Sequence, residues 1–128
     1  MTHPSVELLE RAFAAFGRDA LAVARSLADD VVWRVPGDTV MSGEYRGRDD
    51  VLRFLRRTRT QSAGTYRTEL RYVAASGDYA VAVYHAKGER NGRTLDIEQA
   101  LFCEIRGGVI ADVTAVPFDY PAFSAFWS

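Results

Sequence analysis

Few side chains in this chain could move a proton, and they are scattered. There are two histidines, His3 and His85, and one cysteine, Cys103. His85 lies within "YAVAVYHAKGER", and an imidazole titrates close enough to neutrality to act as general acid or base. Asp38 follows the Pro36–Gly37 break in "VVWRVPGDTV". A carboxylate there could swing over whatever the preceding strand lines, or could simply be a solvated turn residue beside a glycine. His3 stands near the start of the chain, and no set of residues has zinc spacing, so no metal site is expected. Gly107 and Gly108 read as a hairpin turn rather than a phosphate-cradling loop. Cys103 alternates with acidic neighbours onto an apolar side and reads as a small inert hydrophobe. Asp38 and His85 are therefore the candidate proton-handling residues.

Composition bounds what can position them. The 128 residues are read as one domain, 1–128, large enough to bury a core without staples. Sixteen basic against seventeen acidic side chains leave a net charge of −1. That balance offers no general attraction to nucleic acid or an anionic membrane. The four arginines of "RFLRRTRTQ" are spaced with leucines as the solvated face of a helix. No apolar run approaches the roughly 18 residues of a membrane span. A lone cysteine excludes an intrachain disulfide, which suits a reducing cytoplasm.

Helical spacing dominates the first third. Val6, Leu9, Phe13 and Phe16 recur on one face of "PSVELLERAFAAFGR", with Pro4 suited to the first turn. Asp19 can cap a second helix, "ALAVARSLA". The strand "VVWRV" ends at Pro36–Gly37, and after a loop Asp49 can cap "DVLRFLRRTRTQ" with Val51, Leu52 and Leu55 inward. From "TYRTELRYVAA" onward the period changes to two, with Tyr66, Thr68, Leu70 and Tyr72 on one face. Asn91–Gly92 and Gly107–Gly108 mark tight hairpins joining three long strands. Asp119 can cap a short aromatic helix in "DYPAFSAFWS". Helices followed by antiparallel strands predict an α+β fold.

Two-residue turns set a register. Tyr84 then faces Gln99 and Ala82 faces Leu101, while Leu101 faces Thr114 and Gln99 faces Val116. Side chains alternate across a sheet, so Tyr84, Gln99, Leu101, Thr114 and Val116 share a face. That face is inward, because Ile97, Leu101 and Ile105 lie on it opposite Asp96, Glu98 and Glu104. A buried glutamine needs a partner, and Tyr84 stands ready to be one; the pair is either a satisfied core contact or a ligand contact. The same register turns His85 outward, opposite Glu98, unless a bulge slips the strand by one residue.

The order of elements, together with "LADDVVWRVPG", "SGEYRGRDDVLRFL", "CEIRGGVIADVTA" and the ending "FSAFW", resembles the SnoaL-like branch of the nuclear transport factor 2-like superfamily. Ketosteroid isomerases and polyketide cyclases share that fold. The resemblance implies a cone-shaped, strongly curved antiparallel sheet wrapped around the N-terminal helices, and a homodimer packed through the sheet's convex face. Val81, Val83 and Phe102 point that way. It implies that Trp33 looks into the cone, that Phe13 and Phe16 floor it, and that Tyr84, Gln99 and Thr114 shape a site for a small hydrophobic molecule. No cofactor is implied, since such reactions need only positioned acids, bases and dipoles. The carboxylates and tyrosine of steroid isomerisation are missing, however. Their places fall at Val35, Phe13 and Leu101, and the cyclases' aspartate falls near Ala115. The resemblance thus leaves two readings, an isomerase, cyclase or dehydratase using Asp38 or His85, and a binding or dimerisation module without catalysis.

Overall fold

Pro4 occupies the first turn of α1 (Pro4–Ala15), and the side chain of Asp19 accepts the amide hydrogen of Ala22 to cap α2 (Ala20–Arg25). Both follow standard helix-start chemistry. These elements belong to a computed structural model that describes residues 3–128. The chain continues through β1 (Leu27–Val35), β2 (Gly43–Arg46), α3 (Arg48–Thr60), β3 (Arg67–Ser76), β4 (Tyr79–Arg90), β5 (Arg93–Arg106), β6 (Val109–Pro117) and α4 (Tyr120–Trp127). The expected α+β class is found. Strand β2 is an addition to the expected elements, and Gly47 rather than Asp49 holds the N-cap position of α3, Asp49 lying in its first turn.

The six strands form one open sheet in the order β2-β1-β6-β5-β4-β3. All neighbours are antiparallel except β1 and β6, which run parallel, so the sheet is mixed. Helix α1 packs against β3 and β4, α3 against β1 and β2, and α4 against β5. All three cover the same face. Asn91 and Gly92 adopt φ of 51° and 77°, the double positive turn that matches strand twist, and they set Tyr84 opposite Gln99.

Bulges overturn the expected register in two places. In β6 the pairing slips at Ala111, between Glu104 opposite Asp112 and Ile105 opposite Ile110. Beyond the slip Leu101 faces Ala115, and Thr114 faces Phe102 on the other side of the sheet. One extra residue exchanges the faces of everything beyond it. In β3 the slip falls at Arg71, so Tyr72 leaves the face of Thr68 and Leu70 and stands 59% exposed. Bulges of this kind bend the strands that carry them and help curve the sheet around its helices.

Gly88 marks the tightest packing in β4. A side-chain carbon built on it would stand 3.3 Å from Tyr66 Cα and 3.4 Å from the Phe126 ring. Such a site has no room for a branched side chain. Gly88→Val is expected to cost about 1–3 kcal/mol through overpacking, seen as a lower urea midpoint with an unchanged slope.

Candidate functional site

The helices and the concave sheet face do not meet completely. They leave a cavity of about 110 Å³. Helix α1 contributes Leu9, Phe13 and Phe16, and β1 contributes Trp33 and Val35. Phe54 and Thr58 come from α3, and Phe123 and Trp127 from α4. The sheet supplies Tyr84, Gln99, Leu101, Cys103, Val113 and Ala115. Met41 enters from the loop after β1 and is 2% exposed. Alternation along each strand explains the selection: Val31, Trp33 and Val35 are buried while Arg34 between them forms ion pairs outside.

The lining includes no aspartate, glutamate, histidine, lysine or arginine. Two of its hydroxyls are already committed: Ser26 donates to the Val23 carbonyl and Thr58 to the Leu55 carbonyl, each at 2.6 Å. The main polar feature is a cluster of Tyr66, Tyr84 and Gln99. Gln99 Nε2 donates to the Tyr84 hydroxyl at 2.7 Å, and the Tyr66 hydroxyl lies alongside both. Phe13 backs Tyr84 with ring centres 5.1 Å apart, and Trp127 backs Tyr66 at 5.8 Å.

Burial sets the chemistry of this cluster. Loss of hydration pushes Tyr66 up to about 12 and Tyr84 well above its usual 10, with the neighbouring Tyr66 adding to the rise at Tyr84. Both are neutral O–H groups at physiological pH, able to donate a hydrogen bond but not to act as bases. Cys103, also in the lining, is pushed up to about 12 by the same loss of hydration, so its thiol is unreactive.

The structure brings Phe13, Phe16, Trp33, Tyr84 and Gln99 together around the cavity and leaves Asp38, His85 and Thr114 outside it. Thr114 is displaced by the bulge at Ala111, and Ala115 takes its place. His85 lies on the opposite face of the sheet. Its Nδ1 accepts from Arg71 at 2.9 Å and its Nε2 donates to Asp96. The bulge at Arg71 lies in the neighbouring strand, so β4 keeps its register and His85 stays outward. Asp38 is exposed at the tip of a tied loop. Ser42 Oγ donates to the Pro36 carbonyl at 2.7 Å, and the Val40 amide donates to the Trp127 carbonyl at 3.1 Å. These bonds tie down the loop that carries Asp38. Sequence reasoning missed Tyr66 as a site residue, and also missed Phe54, although its three-residue step from Val51 was a usable signal. Among the described residues no three His, Cys, Asp or Glu side chains are grouped to hold a metal ion.

A bent open sheet folded over helices around an internal cavity is the architecture of a pocket protein. The chain belongs to the SnoaL-like domain family, whose model matches residues 9–113. It is 34% identical to the uncharacterized protein Rv0034 of Mycobacterium tuberculosis over 125 residues, covering 96% of this chain and 95% of that one. A protein of unknown function with a cystatin-like fold from Xanthomonas campestris superposes with a TM-score of 0.90 at 26% identity, covering 97% of this chain and 98% of that one. Bal32a, from a soil-derived mobile gene cassette, superposes with a TM-score of 0.94 at 24% identity, covering 98% and 97%.

The raised ionisations predict an alkaline weakness. Above about pH 9 the unfolded chain releases the Cys103 proton, and above about pH 10 those of Tyr66 and Tyr84, while the folded chain keeps them. The unfolded state then binds fewer protons, so stability falls as pH rises. Between pH 10 and 12 each such group should contribute a slope of about 1.4 kcal/mol per pH unit. Urea unfolding across that range checks it, and Tyr66→Phe should remove part of the slope.

Proposed function

We propose that this chain binds a small, neutral, mostly apolar molecule, and that it does so without carboxylate-driven proton transfer. The carrying observation is the cavity itself, walled by aliphatic and aromatic side chains with one tyrosine–glutamine cluster and no charged group. Such a composition suits recognition of an uncharged molecule, because a buried charge would find no counter-charge there. Isomerase, cyclase or dehydratase chemistry of the acid–base kind needs a base that is ionised near neutrality. The titratable groups in the lining are Tyr66, Tyr84 and Cys103, all held protonated. This favours the binding reading over catalysis by Asp38 or His85.

Size narrows the ligand further. An apolar cavity of about 150 Å³ lined by Leu, Ile and Phe suffices for benzene. At about 110 Å³ this one is of the size that takes a single ring or a short branched chain. Toluene should therefore bind measurably by ligand-observed NMR. Ala115→Leu, which pushes extra carbons into the space, should weaken it at least tenfold while the fold persists. Unchanged toluene binding in that variant would remove the cavity as the site.

The partner proposed for the sheet's outer face is a second copy of the chain. Tyr72, Tyr79, Phe102 and Val116 stand 43% to 59% exposed there, and the rings of Tyr79 and Phe102 lie 6.0 Å apart. Val81 and Thr114 flank Phe102 in the adjoining strands. Val83 also points outward but is itself only 7% exposed. A contiguous apolar patch of this kind on a soluble chain marks an interaction surface. A cytoplasmic setting fits the single unpaired cysteine, and no helix among the described residues is long and apolar enough to cross a membrane. Sedimentation should give a dimer mass, and Phe102→Asp should shift it to the monomer without unfolding the chain.

A further inference from the structure

Gln99 is 5% exposed, lines the cavity, and uses one amide hydrogen on the Tyr84 hydroxyl. Its amide oxygen is fully shielded from solvent and has no hydrogen-bond partner among the described residues. A buried acceptor left unmet costs more than an ordinary hydrogen bond returns, so such atoms are rare in folded proteins. The atom sits in the main polar cluster of a largely apolar cavity, whose other hydroxyl side chains are Ser26, Thr58 and Thr68. In the observed arrangement no protein donor meets that oxygen, and an occupant of the cavity can supply the hydrogen.

We infer that the cavity is specific for a compact single-ring molecule bearing one hydroxyl group, held with that hydroxyl on the Tyr66–Tyr84–Gln99 cluster. This rests on the proposed ligand-binding reading and names its ligand class. A hydroxyl suits the cluster because it both donates and accepts. With Gln99 Nε2 turned to Tyr84, the ligand O–H meets the free amide oxygen. Turning the amide by half a rotation would let Tyr84 donate to that oxygen and leave the NH₂ free, and the ligand oxygen would then accept from it. A ketone or ether can accept only, so it meets the turned amide alone, whereas a hydroxyl meets the amide in either orientation. A carboxylate or ammonium would bring a charge into a lining that holds no opposite charge.

Phenol and toluene have the same number of heavy atoms and test the hydroxyl directly. Binding of each to the wild type, Gln99→Leu and Gln99→Met is measured by ligand-observed NMR or calorimetry. Phenol affinity should fall about tenfold or more in the variants, while toluene holds or tightens. The hydration of the free ligands cancels in that comparison, so the ratio reports the amide alone. Should neither variant fold, the Gln99 side-chain amide signals of the ¹⁵N-labelled wild type serve instead, moving with phenol and not with toluene. Parallel changes for both ligands, or no selective amide shift, would overturn the hydroxyl assignment while toluene binding keeps the cavity reading intact. If the wild type binds neither, both ideas fall together.

Discussion

One row of side chains governs this molecule. Along β5, Leu95, Ile97, Gln99, Leu101, Cys103 and Ile105 all point toward the helices and are all buried. The intervening Asp96, Glu98, Phe102, Glu104 and Arg106 point the other way. Because β5 is hydrogen-bonded on both sides, to β4 and β6, its parity is imposed on the centre of the sheet. A slip of one residue would drive Asp96, Glu98 and Glu104 into the interior, where unpaired carboxylates cost several kcal/mol each. It would also strip the core of five apolar side chains. The register is therefore held by the price of the alternative as much as by its own contacts.

That constraint was legible in the sequence, and what hung directly from it could be read. Asn91 and Gly92 announced a two-residue turn, alternation then placed Tyr84 opposite Gln99, and the acidic residues of β5 identified the outer face. The resemblance of the ordered motifs to the SnoaL-like family supplied the curvature and the wrapping of the sheet. What could not be read were the departures from regularity. Nothing in "GGVIADVTA" advertises an extra residue at Ala111, since alanine is compatible with paired and bulged backbone alike. The same holds for Arg71 in β3. Strand β2 escaped notice because "GEYR" is short, starts at a glycine with φ of 139°, and lies at the sheet edge with little buried surface. Beside the backbone pairing of β2 to β1, Arg34 reaches Asp112 of β6 at 2.7 Å and Glu44 of β2 at 3.5 Å.

The division of charge across the sheet explains why the proton-handling candidates separate from the cavity. His85, Arg71, Glu69, Asp96 and Glu98 form one network on the outer face, where water and salt moderate every interaction. Inside, the polar atoms are neutral and few. Val35, Leu101 and Ala115, the places where the family resemblance would set carboxylates, line the cavity with hydrocarbon instead. The cavity lining thus presents the neutral Tyr66, Tyr84 and Gln99 groups and no carboxylate, imidazole, ammonium or guanidinium.

Ligand size follows from the same choice of residues rather than from the fold. The curved sheet and its helices frame a large space, but Phe13, Phe16, Trp33, Phe54, Phe123 and Trp127 reach into it from four separate elements. Their rings pack against one another, the tyrosines and Phe126 at centre distances of 4.4 to 6.3 Å. Aromatic packing of this kind is worth roughly 0.5–1.5 kcal/mol per pair beyond area burial, so the walls stabilise the fold as they narrow the cavity. Trp33 does both jobs. It packs against Phe54 at 5.8 Å and presents its remaining surface to the space beyond. Enlarging the ligand would mean trimming these rings, and each trimmed ring would give up stability that the small core depends on. In this chain selectivity for a small occupant and stability of the domain are set by the same side chains.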